Sequence, residues 1–268
     1  MSHCPVSRDI SGRMVFLGSG TSVGVPAIGC GCPVCTSDNP RNKRTRCGLA
    51  LGLPGGNLLV DTPPDLRQQL LRERIGIVHA VLYTHEHVDH IFGIDDLRLM
   101  QFYLGGPVPL YCEPGVEQRI RKSFDYAFQS AERMHTGAIP QLALRPIGLE
   151  PFHVLGVEVT PVRLHHGPTV PVLGFRFGNL AYCTDVNAIP AESMERLRGL
   201  DVLVLDCLRR EPHATHFGLG EALAIVDELE PKRTLLTHMS HNFDHDATNA
   251  ELPSGVELAY DGLEVALS

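Results

Sequence analysis

Residues 85–90 read His-Glu-His-Val-Asp-His, directly after the apolar run Ala80-Val81-Leu82-Tyr83. Four metal-ligating side chains, His85, His87, Asp89 and His90, therefore fall within one short stretch. The apolar run reads as a buried strand, and a strand end holds the turn after it rigidly. His85 and His87 alternate with Glu86, so in an extended turn both imidazoles project the same way and can chelate one ion. Asp89 and His90 can serve a second ion nearby. Imidazole and carboxylate donors in this mix suit zinc, iron or manganese. Two ions about 3.5–4 Å apart can clamp both the attacking and the leaving oxygen of a hydrolysis.

Three further segments place ligands after apolar runs. Val159–Leu164 is followed by His165-His166, Leu180–Cys183 by Thr184-Asp185, and Thr234–Thr237 by His238. An aspartate at a strand end can bridge two ions, one through each oxygen. His165 and His166 are rivals for a single ligand position. A separate cluster reads Cys30-Gly31-Cys32-Pro33-Val34-Cys35. Eight cysteines in 268 residues do not make a dense disulfide framework, so the cluster reads as metal-binding before it reads as disulfide-forming. The others, Cys4, Cys47, Cys112, Cys183 and Cys207, are scattered. Cys183 and Cys207 lie in or beside apolar runs and read as small core residues.

The elements that must hold these groups are mostly strands. Strand-like runs cover Met14–Leu17, Leu49–Leu53, Asn57–Val60, Ala80–Tyr83, Val108–Tyr111, Val157–Val162, Val172–Phe177, Leu180–Cys183, Val202–Leu205, Thr234–Thr237 and Val256–Ala259. Pro54-Gly55-Gly56-Asn57 and Gly178-Asn179 read as hairpin turns. Helical spacing marks Pro64–Glu73, Gly115–Arg133, Ala191–Leu200 and Gly218–Leu229. Runs of strands with helices between some of them predict two packed sheets flanked by helices, an α/β arrangement in one domain over 1–268. Residues 1–12 read as a flexible N-terminus. Residues 98–145 are the least regular stretch and read as an insertion. Arg119, Arg121 and Lys122 cluster there beside Phe124, Tyr126 and Phe128, which fits either a substrate lid or a solvated helix face.

The net charge is −8. That balance does not favour capture of a polyanion, so nucleic acid is not an expected partner. A small anionic substrate stays open, because bound metal ions dominate the local field. No apolar stretch is long enough to span a membrane. Residues 1–9 lack the apolar core of an export signal, so a cytoplasmic location is expected.

The order His85-x-His87-x-Asp89-His90, His166, Asp185, His238 resembles the metallo-β-lactamase superfamily of hydrolases, over essentially the whole chain from Met14. The resemblance implies a four-layer αβ/βα sandwich with a dinuclear site at one edge. It implies that His85, His87 and His166 hold one ion, that Asp89, His90 and His238 hold the other, and that Asp185 bridges them. The start Leu17-Gly18-Ser19-Gly20-Thr21 is similar to the nuclease-like branch, which includes tRNase Z and PhnP. Gly29-Cys30-x-Cys32-x-x-Cys35 after Gly24-Val25-Pro26, Leu236-Thr237-His238-x-Ser240-His241, and Leu252-Pro253-Ser254-Gly255 with Asp261-Gly262 resemble the PhnP-like phosphodiesterases. In them the three cysteines and a late histidine hold a structural zinc. Carried over, those ligands are Cys30, Cys32, Cys35 and His241, a closed tetrahedral shell with no position left for substrate.

The resemblance implies a phosphodiesterase using a water activated by two divalent ions, Mn2+ or Zn2+, on a small phosphodiester. The implied substrate is 5-phospho-α-D-ribosyl 1,2-cyclic phosphate, opened to ribose 1,5-bisphosphate in phosphonate breakdown. His216, in Thr215-His216-Phe217-Gly218, matches a non-ligand histidine that assists the phosphate. An imidazole can do this near neutral pH. His213 is its rival, and Asp89 is expected to share in catalysis. A homodimer is the default assembly. The alternatives are a tRNA 3′-processing nuclease, which needs a basic arm that we do not find, and a PqqB-like binding protein.

Overall fold

The computed structural model describes residues 5–128 and 137–267. Its first sheet holds β1 (Arg13–Gly18), β2 (Gly48–Leu53), β3 (Gly56–Val60), β4 (Ala80–Leu82), β5 (Val108–Cys112) and β6 (Leu142–Pro146). The second holds β7 (Phe152–Val154), β8 (Val157–His166), β9 (Val170–Phe177), β10 (Leu180–Cys183), β11 (Val202–Asp206), β12 (Arg233–Thr237) and β13 (Val256–Leu258). A last strand, β14 (Glu264–Ala266), returns to pair with β1, giving the orders β14-β1-β2-β3-β4-β5-β6 and β13-β12-β11-β10-β9-β8-β7.

Strand alternation builds the layers. Met14 and Phe16 of β1 and Leu49 and Leu51 of β2 point into a core shared with Phe175, Tyr182, Val204 and Leu235 of the other sheet. Their neighbours Val15, Leu17 and Ala50 point the opposite way, onto helices. The helices on that outer face include α2 (Leu66–Glu73), α3 (Val88–Ile91), α4 (Met100–Leu104) and α5 (Pro114–Ser123). The one-turn helix α1 (Pro33–Thr36) lies in the excursion between β1 and β2. On the outer face of the second sheet α6 (Ala191–Arg196) and α7 (Leu219–Leu229) bury Met194, Ala222 and Leu229, and α8 (His245–Asn249) follows β12. The result is the expected four-layer αβ/βα sandwich. Burial of each large core side chain stabilises it by about 1.5–3 kcal/mol.

Both predicted hairpins form: Leu53 pairs with Gly56 and Phe177 with Leu180. Strands β3 to β6 are parallel, as are β10 to β13. The carboxyl ends of β3, β4, β10, β11 and β12 gather at one edge of the sandwich, where open α/β sheets bind ligands.

Three expectations change. Segment 98–145 is not an insertion over the fold, because it supplies β5 and β6 to the first sheet. Helix α5 stops at Ser123, and residues 129–133 of the longer predicted helix lie outside the described residues. The segment 1–12 is held from Arg8 onward. The Arg8 amide donates to the Arg74 carbonyl, Arg8 pairs with Glu264, and Ile10 is buried; residues 1–4 lie outside the described residues. Among the described residues no helix is long and apolar enough to cross a membrane.

Candidate metal centre

His85 and His87 follow the end of β4, His87 in extended backbone, and α3 then turns Asp89 and His90 back toward them. Strand β8 runs on to His166, four residues past the predicted end. Its alternation separates the two histidines: His166 is buried on the same side as Val162 and Leu164, whereas His165 is exposed. Asp185 follows β10 and His238 follows β12, both with left-handed backbone at φ +54° and +59°. Asp and His tolerate that region better than most residues, and such positions gather at functional sites.

These residues form two groups of ligand atoms. His85, His87, His166 and Asp185 make one, with all four atoms within 4.8 Å of one another. His90, His238 and Asp185 belong to the other, together with Cys47. Asp185 Oδ2 lies 3.2 Å from His90 Nε2, and its Oδ1 lies 3.3 Å from His238 Nε2 and 3.9 Å from His85 Nε2. Asp89 Oδ2 approaches His90 Nε2 and His238 Nε2 at 3.4 and 3.6 Å. The Nε2 atoms of His85, His90 and His238 are buried without a hydrogen-bond partner. Buried donors left orphaned around shared carboxylates fit a divalent cation.

The Nδ1 atoms of His85, His166 and His90 are held from behind. His85 Nδ1 is 3.0 Å from Thr84 Oγ1, and His166 Nδ1 donates to the Thr215 carbonyl at 2.7 Å. His90 Nδ1 donates to Asp61 Oδ2 at 2.7 Å. Thr84 donates to the same carboxylate through its amide and its hydroxyl. Such partners fix the tautomer and aim Nε2 at the ion. Asp61, with φ +66°, was invisible as a site residue in the sequence. The only trace is its place after β3, in the way Asp185 follows β10.

Burial pushes His85 well below the ordinary imidazole range and also lowers His166. Burial also opposes the charge on Asp185, but the His238 and His90 rings overturn this and hold it well below the carboxylate range. Burial lowers His238, yet Asp185 outweighs it and lifts that ring to about 9.

His216 is buried, its Nδ1 donating to Asp206 Oδ2 at 2.9 Å. Its ring lies 4.6 Å from that of His166 and stacks on His238 at 4.7 Å. His213 is more exposed, and its Nδ1 accepts from the Thr215 amide. A cavity of about 190 Å3 opens beside His87, lined by Glu86, Val88, Phe92, Arg119 and Ser123. A larger one, about 440 Å3, is lined by Leu53, Glu158, Thr160 and Arg176. It touches none of the candidate ligand residues, whereas the smaller is lined by His87.

Cys30, Cys32, Cys35 and His241 also come together within 4.8 Å. His241 Nδ1 lies 3.3 Å from Cys30 Sγ and 3.4 Å from Cys35 Sγ. Buried Arg44 ties this region together by donating to the carbonyls of Ser240 and Phe243.

The family model of the beta-lactamase superfamily domain matches residues 56–239. An octanoyltransferase of Porphyromonas gingivalis is 36% identical over 258 residues, 95% of this chain and 51% of that protein. A coenzyme PQQ synthesis protein B of Methylobacterium radiotolerans is 34% identical over 168 residues, 56% of this chain and 52% of that protein. The chain thus spans about half the length of these curated relatives. Among solved structures, a diphosphatase from the PhnP family is 42% identical, with a TM-score of 0.88, covering 94% of this chain and 96% of that one.

Proposed function

The chain belongs to the metallo-β-lactamase superfamily, in its PhnP-like branch, and we propose that it is a metal-dependent phosphodiesterase acting on a small cyclic phosphate. The observation that carries this reading is Asp185 shared between two ligand groups, with His216 stacked against one of their members. The 42% identity to a PhnP-family diphosphatase supports phosphate chemistry.

In this reading His85, His87 and His166 would hold one divalent ion, Asp89, His90 and His238 would hold the other, and Asp185 would be shared between them. When bound, the ions supply Lewis acidity and an activated water. Asp206 holds His216 through Nδ1, which leaves Nε2 to give a proton to the departing oxygen. The Asp89 side chain is 12% exposed against 2% for Asp185, so it is the carboxylate better placed to take the proton of an attacking water. Cys30, Cys32, Cys35 and His241 would hold a structural zinc, and their side chains would thereby tie the excursion between β1 and β2 to the loop after β12. The substrate proposed is 5-phospho-α-D-ribosyl 1,2-cyclic phosphate.

The test is hydrolysis of bis(p-nitrophenyl) phosphate, then of the cyclic ribosyl phosphate, with manganese or zinc added. Turnover of the first no faster than that of an Asp185→Ala variant would sink the phosphodiesterase reading. Turnover of the first without the second would remove the substrate. A binding role has in its favour the match to coenzyme PQQ synthesis protein B. Metal analysis separates the two, since zinc at the cysteine site alone favours binding. The net charge of −8 disfavours tRNA as substrate, and a pre-tRNA cleavage assay checks it.

A further inference from the structure

Cys47 lies in the second ligand group but has no role in the reading above. It sits just before β2, is 1% exposed, and carries a free thiol. Its Sγ nevertheless joins the ligand atoms of His90, Asp185 and His238, all four within 4.8 Å of one another. The backbone puts it there deliberately. The Cys47 amide donates to the Gly20 carbonyl at 3.0 Å. A Cβ on Gly18 would overlap the Arg46 carbonyl oxygen, and one on Gly20 would press on the Arg44 carbonyl. The two glycines of the Leu17–Thr21 stretch therefore let segment 44–47 lie close against the end of β1, and this brings the sulfur to the cluster.

Two features leave room for a cation beside this sulfur. The Nε2 atoms of His90 and His238 are buried without a hydrogen-bond partner in the same volume. Thr184 Oγ1, 3.6 Å from Cys47 Sγ, already donates its proton to Asp185 Oδ2 at 2.7 Å. The sulfur lone pairs are thus not engaged by that hydroxyl.

We propose that Cys47 is a further, thiolate ligand of the second ion, beside Asp89, His90, His238 and the shared Asp185. This rests on the dinuclear reading of the site and deepens it. Binding forms one sulfur–metal bond and releases the thiol proton to water, with no change of oxidation state. The two halves of the centre then differ in chemistry. The His85, His87, His166 and Asp185 half offers only nitrogen and oxygen. The Cys47 half adds a soft sulfur, which selects zinc over manganese.

The experiment is 113Cd NMR of the whole chain loaded with cadmium, whose resonance moves downfield with each thiolate bound. The wild type is expected to show three resonances. One is strongly downfield from Cys30, Cys32, Cys35 and His241, one lies in the nitrogen–oxygen region, and one lies between them. In Cys47→Ser, and equally in Cys47→Ala, the middle resonance moves to the nitrogen–oxygen region while the thiolate-rich one stays, which also reports an intact fold. Two wild-type active-site resonances both in the nitrogen–oxygen region overturn the role of Cys47 and leave the dinuclear site standing. Loss of both active-site resonances with the thiolate-rich one present overturns the dinuclear reading itself.

Discussion

Replacing Asp61 by asparagine is the sharpest probe of how the centre is held. The carboxylate is fully buried and faces donors from three sides: the Thr84 amide at 2.9 Å, the Thr84 hydroxyl at 2.8 Å and His90 Nδ1 at 2.7 Å. Asparagine keeps the size but offers one oxygen. With that oxygen on the Thr84 amide, its NH2 group faces the hydroxyl and the ring. The hydroxyl can rotate and accept. The ring cannot accept while Nδ1 carries the proton, so it must move the proton to Nε2, the atom aimed at the ion. Loss of a charge-assisted hydrogen bond costs about 1.5–3 kcal/mol. Loss of such an orienting partner lowers metal affinity by about 10- to 100-fold, or about 1.4–2.7 kcal/mol. The ion held by His90 should weaken by that factor. The ion held by His85 should weaken less, because Asp61 reaches His85 only through Thr84. Competition titration against a chromophoric chelator, with both ions resolved, measures it. Wild-type affinity for both ions, or equal weakening of the two, would refute the reasoning.

His216→Ala should lower kcat by about 100- to 10,000-fold with metal content unchanged, and full turnover by that variant removes the residue from the chemistry. Cys35→Ser should lose one zinc by mass spectrometry and destabilise the chain by about 3 kcal/mol, or about 6–12 °C in Tm; unchanged zinc content refutes the closed site. Metal binding at His238 must displace the proton that Asp185 holds there with a pKa of about 9. The protonated fraction falls as pH rises toward that value. Affinity should therefore climb with pH, by about tenfold per unit for one proton, and level off above it. Calorimetry in buffers of different ionisation heats detects the released proton, and a flat profile below about pH 9 contradicts it.

The fold was legible where strands are buried on both faces. The residues of β2, β4 and β10 are all buried, so each writes an unbroken apolar run. Three strands were not legible: β6 lies at a sheet edge with exposed Arg145 and Pro146, and β7 and β14 are edge strands of three residues. Short edges pair on one side only and need no apolar pattern. The same local logic hid Asp61 and Asp206. Each follows or ends an apolar run, but each acts by bonding a ring whose position no local pattern shows.

By itself, then, the sequence marked most of the candidate ligands. Chelating residues six or fewer apart, or set at strand ends, must be written locally, because one turn of backbone aims them. The tertiary structure decided what those residues share. The alternation of β8 buried His166 and exposed His165, the parallel strand ends brought Asp185 within 3.2 Å of His90, and the glycines before segment 44–47 let Cys47 join them. These are distances between elements far apart in the chain, set by which faces bury against one another, and no single stretch of sequence carries them.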